Sequence, residues 1–449
     1  MELLVLTRGS SSLLSVALSA LAFLWAIPSS AKGGKCEVRP TNFKGWEAQE
    51  IRNEWVTLTL VPKLGGRLMQ VAFGPHEYLF VNKSYEGKYF PPLARDAPPT
   101  WYNYGGDKIW PLPEGRKDDK HWPGPLSDPL DDGDYRFSIQ SQGEVCKVRL
   151  DGPPDLETGL EFSREISLEA GSPKISFRAV MKNISDHPIE WSVQSVTQYN
   201  TADFPGQKAS VSIWAFTAAN ERTAFRGGYF VRSGTAPAGV VIRNGLVTMN
   251  YSSEECELWF DTRGGWLAVA DSTTEYAMVE RFRVEEAKEY PGNATVIFYM
   301  NDGNKAKETA LYYMEAEINS PMARLQPGET YSMDTEWYPT RAGRDVVGVA
   351  DGGIVVQHAR VSGGSKAKKL TGAFGVFFSG KVRAEFLDAG GKRVSEKTLK
   401  TVAPQDSVKL DENIQVPRSA SRMVLHLVDS RGRDRGVLDE VSLSPGGST

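Results

Sequence analysis

The sequence predicts an all-β protein, built as large sandwiched antiparallel sheets followed by a smaller immunoglobulin-like sandwich. Three observations carry this reading. Nearly every readable segment is short and rich in β-branched and aromatic residues, as in 55–61 (WVTLTLV), where Thr alternates with aliphatics. Gly, Pro, Asn and Asp punctuate these segments at short intervals, for example at Gly171-Ser172-Pro173 and across 183–188. No segment beyond residue 31 sustains the i, i+3, i+4 apolar spacing of a helix.

The elements follow in chain order. Residues 13–27 form an apolar run of the length a secretory signal needs, with Arg8 before it and Pro28-Ser29-Ser30-Ala31 after it. Ser29 and Ala31 stand where a signal peptidase reads small residues. This predicts cleavage after Ala31 and a periplasmic or secreted location; an uncleaved anchor is the alternative. The run is short for a membrane span, and no other segment could cross a bilayer. Strands are then predicted at 55–61, 135–140, 145–150, 161–168, 174–181 and 190–198. A second series follows at 240–243, 258–260, 266–270, 276–282, 295–300, 311–317 and 330–337. So many strands in one unit ask for large sheets packed face to face rather than a small barrel.

A boundary falls near 341–350. Every tryptophan and tyrosine lies before it, and residues 345–449 carry 16 Lys and Arg against 12 Asp and Glu in a chain whose net charge is −4. The tail shows roughly seven short strands, among them 353–361, 375–378, 382–387 and 422–428, which suits an immunoglobulin-like sandwich of ~100 residues. The predicted organisation is a signal peptide at 1–31, the main sandwich at 32–344 and the tail sandwich at 345–449.

The negative charge speaks against nucleic acid as the main partner. Hydrophobic content of 40% and charged content of 24% are usual for a soluble globular chain. The three cysteines, Cys36, Cys146 and Cys256, are too few and too scattered for a disulfide framework or a zinc site. One bridged pair would leave one odd thiol, and the sequence does not choose the pair.

Residues 101–125 (WYNYGGDKIWPLPEGRKDDKHWPGP) concentrate the candidate chemistry. Their Gly and Pro density rules out a helix and reads as a loop. Trp101, Tyr104, Trp110 and Trp122 offer faces on which sugar C–H groups stack. Asn103, Asp107, Lys108, Glu114 and His121 offer partners for hydroxyls. The segment predicts a carbohydrate ligand. The plainer reading is a loop whose aromatics cover a sheet.

Five segments in order add a resemblance. They are 53–73 (NEWVTLTLVPKLGGRLMQVAF), 104–111 (YGGDKIWP), Val196-Thr197-Gln198, Tyr290-Pro291-Gly292 and 315–329 (EAEINSPMARLQPGE). Together, residues 45–340 resemble a bacterial family of proteins related to galactose mutarotase (aldose 1-epimerase). The resemblance implies an antiparallel β-supersandwich with a sugar-binding face and does not cover the tail. It also implies two catalytic groups, a carboxylate that takes the anomeric proton and a histidine that donates to the ring oxygen.

By that resemblance Glu317, before the Leu325-Gln326-Pro327-Gly328-Glu329 turn, takes the carboxylate's place, and Glu315 shares its strand face. Gln198 stands where the histidine is expected. Glutamine binds a sugar oxygen but gives up no proton near neutral pH. His121 is the substitute acid within reach of the aromatic segment. His76 and His187 read as loop residues, and His358 and His426 belong to the tail. Arg67, beside Gly65-Gly66, and Arg281 are further candidates to donate to sugar hydroxyls. No cofactor is expected. Asp128, Asp131, Asp132 and Asp134 offer hard oxygens of the kind calcium takes, yet their spacing fails the EF-hand pattern, and a hydrated turn accounts for them.

The expectation is an exported carbohydrate-binding protein. Three alternatives stand beside it: an active epimerase, a polysaccharide lyase or hydrolase by analogy of fold, and a non-catalytic envelope component.

Overall fold

A computed structural model describes residues 34–93, 98, 100–115, 118, 120–202, 212–252, 254–301, 311–364 and 368–443. The predicted signal peptide lies outside the described residues. Among them, one helical turn, Pro129–Asp132, and three short 3₁₀ turns are the only helical elements, and no helix is long and apolar enough to cross a membrane. The remaining elements are strands, as the alternating segments require.

Two large sheets form the body. The first has twelve strands. Its order is Glu37–Phe43, Trp46–Arg52, Val56–Val61, Arg67–Phe73, Asp107–Leu112, Ile189–Asn200, Tyr313–Asn319, Val296–Met300, Cys256–Phe260 and Phe230–Gly234, with Ala323–Leu325 and His76–Glu77 paired off this path. The second has ten strands, from Val241–Arg243 at one edge to Arg136–Ser141 at the other, with Tyr276–Phe282, Thr330–Arg341 and Ile175–Asn183 at its centre. The ladders are antiparallel, for example Val196 against Glu317 and Met278 against Pro339. Apolar side chains from both sheets meet in one core that includes Leu58, Val71, Phe162, Ile166, Val193 and Phe298.

Arg164 and Asp107 are paired across the two sheets, with Ser195 and Thr197 also donating to Asp107. Tyr199 donates to Glu280 at 2.6 Å. Burial pushes the Glu280 carboxyl well above the usual range, and the Tyr199 hydroxyl draws it partly back.

A disulfide joins Cys36 to Cys146 across a separation of 110 residues, with the Cα atoms 5.8 Å apart. It ties the start of the twelve-stranded sheet to a strand of the ten-stranded one. Cys256 is the buried free thiol.

From Gly348 onward the chain forms two four-stranded sheets, eight strands where roughly seven are predicted. Their buried side chains, such as Ile354, Phe374, Leu425 and Leu438, share a cluster with Phe216, Trp266, Val279 and Tyr338 of the ten-stranded sheet. The tail therefore covers that sheet's outer face.

One segment departs from its predicted loop. Residues Asp107–Leu112 are a fully buried strand in the middle of the large sheet. Pro111 argued against this from sequence. The strand tolerates it because its pairing with Arg67–Phe73 is confined to Leu68 and Asp107, so the missing N–H breaks no ladder on that side.

Candidate functional site

The aromatic segment turns inward. Trp110 and Trp122 are buried, Trp101 is half-buried, and the indole N–H of each donates to a carboxylate of the Asp128–Asp132 turn. Trp101 reaches Asp131 Oδ2 at 2.9 Å, Trp110 reaches Asp131 Oδ1 at 2.7 Å, and Trp122 reaches Asp128 Oδ2 at 2.6 Å. Arg67, with no exposed surface, pairs with Asp131 at 2.8 Å and Asp132 at 3.4 Å. Asp131 and Asp132 are thus buried among protein donors, while Asp134 at the end of the segment is exposed. Among the described residues no cluster of three metal-ligating side chains is assembled.

Other sequence candidates also serve the architecture. Asn103 accepts from the Gly105 amide and its carbonyl takes the Asn82 side chain. Tyr104 is buried against Trp46 and Tyr85 and accepts the Phe90 amide. Asp107 lies between the sheets with Arg164. Arg281 faces the tail: it donates to Ala350 O at 2.6 Å and lies over the Tyr338 and Phe377 rings. Arg67, Trp122, Asn103, Tyr104, Asp107 and Arg281 thus all have partners within the protein.

A second group does come together. Three adjacent strands, Asp107–Leu112, Ile189–Asn200 and Tyr313–Asn319, bring Lys108, Gln194, Gln198, Glu315 and Glu317 onto one face, because directly paired antiparallel residues point the same way. Gln198 donates to Glu315 at 2.7 Å, and Lys108 approaches the same oxygen at 3.4 Å. Gln194 donates to Glu317. Lys108 lies over the Trp110 ring, 4.5 Å from its centroid. Burial lowers the Lys108 ammonium and raises the Glu317 carboxyl well above its ordinary range, with Glu315 adding to the rise. Glu317 lies beneath Gln194, its charged form disfavoured by burial and by Glu315.

Continuing across the sheet, Glu317 pairs with Ile297 and Ile297 with Trp259. Here a cleft of about 230 Å³ opens, lined by Glu114, His121, Gln194, Arg232, Glu257, Trp259, Pro291, Gly292 and Ile297 among others. Its near wall is the loop after Leu112, whose ends are held by Trp122 N to Pro113 O at 2.8 Å and Gly115 N to Trp122 O at 2.9 Å. This brings Glu114 and His121 to the cleft. His121 is partly exposed at the rim, its Nδ1 2.8 Å from Asp118. Its far wall is the turn Pro291–Asn293. Gly292, at φ +55°, lies against the Trp259 ring, and a Cβ there would come within 1.9 Å of that ring.

The cleft's charges interact. Burial, then the neighbouring Glu257, pushes Glu114 up to about 8. Burial also raises Glu257, while the Trp259 indole, donating at 2.6 Å, and Arg232 pull it back towards the ionised form. The Arg232 guanidinium lies 5.2 Å from the Trp259 ring centroid. Two buried oxygens on cleft residues, Glu114 Oε2 and Gln194 Oε1, have no hydrogen-bond partner.

Of the sequence candidates, Glu114 and His121 line this cleft, and Gln198, Glu315, Glu317 and Lys108 lie together on the adjacent strands. Glu257 and Trp259 alternate along one strand, and that period-2 spacing was the signal that they share a face. Arg232 carried no local signal.

The family described as "Domain of unknown function (DUF4380)" matches residues 47–339. No curated protein matches the chain. Among solved structures, a TPR-domain containing protein from Parabacteroides distasonis is similar at 14% identity, with 69% of this chain and 54% of that one covered and a TM-score of 0.46. The chain thus spans about half the length of that protein. A galactose mutarotase-like protein from Clostridium acetobutylicum is similar at 12% identity, covering 68% and 99%, with a TM-score of 0.44. A putative aldose 1-epimerase from Escherichia coli K12 is similar at 10% identity, covering 68% and 99%, with a TM-score of 0.40.

Proposed function

The chain belongs to the DUF4380 family, and we propose that it is an exported carbohydrate-binding protein whose sugar lies in the cleft between Glu114 and Trp259. One observation carries the reading: Glu114 Oε2 and Gln194 Oε1 are buried without partners beside an aromatic wall. A sugar offers hydroxyl donors for such oxygens and C–H faces for Trp259. Arg232 and Glu257 supply the charge-assisted hydrogen bonds that fix its orientation. The apolar run at 13–27 and the Cys36–Cys146 disulfide support export.

Calorimetric titration with neutral mono- and oligosaccharides tests this. The expected result is binding that Trp259→Ala weakens roughly tenfold, the worth of a stacked ring. Folded wild-type protein that is silent across the panel overturns it.

A second reading, sugar isomerisation, is favoured by the raised Glu114 carboxyl. At neutral pH it carries a proton, as a general acid must, and Glu257 is the carboxylate beside it. This acid stands in place of the histidine that Gln198 replaces. Polarimetry of freshly dissolved α-glucose and α-galactose decides it: a rate equal to buffer alone excludes the reaction for those sugars.

A further inference from the structure

The turn Pro291–Asn293 has a second side. Pro291 and Gly292 wall the cleft, while Tyr290 and Asn293 line a separate cavity of about 160 Å³. Three loops supply that cavity with cations: Arg222 from the loop after Ile213–Ala218, Arg263 from the loop after Cys256–Phe260, and Lys288 from the loop after Tyr276–Phe282. None of the three makes an ion pair with a described residue.

The single carboxylate in the wall is Asp261, buried and accepting the Ala224 amide at 3.3 Å. The loops are fastened to one another. Asn220 Nδ2 donates to Asp261 O at 3.1 Å, and Thr295 Oγ1 donates to Thr262 O at 2.9 Å. Arg222, Arg263 and Lys288 are exposed where they line this cavity, which therefore offers three cationic groups and one carboxylate to whatever enters it.

We propose that this second cavity is an anion subsite: the saccharide in the cleft carries an acidic group that Arg222, Arg263 and Lys288 receive across the Pro291–Asn293 turn. The proposal rests on the carbohydrate reading of the cleft and narrows it to acidic saccharides. Arginine forks suit a carboxylate, a sulfate or a phosphate equally in chemistry. The cleft takes the ring and the second cavity takes the charge, because consecutive residues of one turn form a wall of each.

The experiment titrates full-length protein with uronic-acid, sulfated and phosphorylated saccharides and with neutral counterparts of the same length. It is repeated with the double variant Arg263→Gln/Lys288→Gln and, without sugar, with inorganic sulfate followed by thermal melting. The expected result is about tenfold tighter binding of one acidic class, lost in the variant and weakened by salt, with neutral binding unchanged. Which class gains distinguishes the three acids. Neutral and acidic sugars binding alike overturns the subsite and leaves the carbohydrate reading intact. No sugar binding at all overturns the carbohydrate reading. In that case, sulfate that raises the melting temperature of wild type and not of the variant retains the anion site alone, and equal melting of both removes it.

Discussion

Gln198 donates its side-chain amide to Glu315 at 2.7 Å, from the very strand position where the resemblance to mutarotases leads one to expect an acid. The donor direction is fixed, because a carboxylate accepts and an amide N–H gives. Lys108 completes the contact from the next strand. The bond orients Glu315. Gln198→Leu leaves that carboxylate with Lys108 alone. We expect a loss of about 2 kcal/mol in urea unfolding.

Trp110→Phe should act on stability and not on binding. It removes the indole bond to Asp131 and keeps the ring under Lys108. Denaturant titration should show a loss of about 2 kcal/mol, while sugar titration stays at the wild-type value. A large fall in affinity with unchanged stability would return Trp110 to the ligand surface.

Reduction should matter because the Cys36–Cys146 bond closes a long loop. Cross-linking such a span constrains the unfolded chain by on the order of 4 kcal/mol. Cys36→Ser/Cys146→Ser should melt roughly 5 °C lower than wild type in a scanning calorimeter. Cys256→Ser should not reproduce this shift, since that thiol is outside the bond.

Stability should fall as pH rises above neutrality. Burial raises Glu114 to about 8, Asp128 to about 7 and Asp132 to about 8. Acids with raised folded values bind more protons folded than unfolded. Their contribution is complete below the unfolded values and is lost as pH climbs through 7 to 8. Half-buried His76, lowered to about 4, has the opposite sign, but it acts between 4 and 6.5. Lys108, lowered by burial, also opposes the acids on the alkaline side. Melting temperatures should therefore decline by roughly 2 °C per pH unit up to about pH 8 and level off above it, where the three carboxyls are ionised in both states. Asp132→Asn should flatten the decline.

Much of the fold was legible because strands advertise themselves by composition and period. Segments such as Val56–Val61 and Tyr276–Phe282 are read correctly with no knowledge of their neighbours. Asp107–Leu112 was not, since a proline in a central strand is judged by a pairing that only the fold reveals. That Gln198, Glu315 and Glu317 lie together was legible through motif order. The indole bonds of Trp101, Trp110 and Trp122 to Asp131 and Asp128 were not, because composition does not reveal where an N–H points. Glu257 and Trp259 share one strand and Arg232 lies on the strand paired with it, but only the fold sets them opposite Glu114.

The shared cluster beneath the tail bears on where this protein can be cut. The family match stops at residue 339, yet Tyr338 stacks on Phe377 and Thr340 donates to Val376 O at 2.8 Å. Trp266 and Val279 belong to the same apolar cluster as Ile354 and Leu438. The limit of common descent is therefore not a limit of cooperativity. A body truncated at the family's edge would present a bare apolar sheet face to water, the face that the tail now covers.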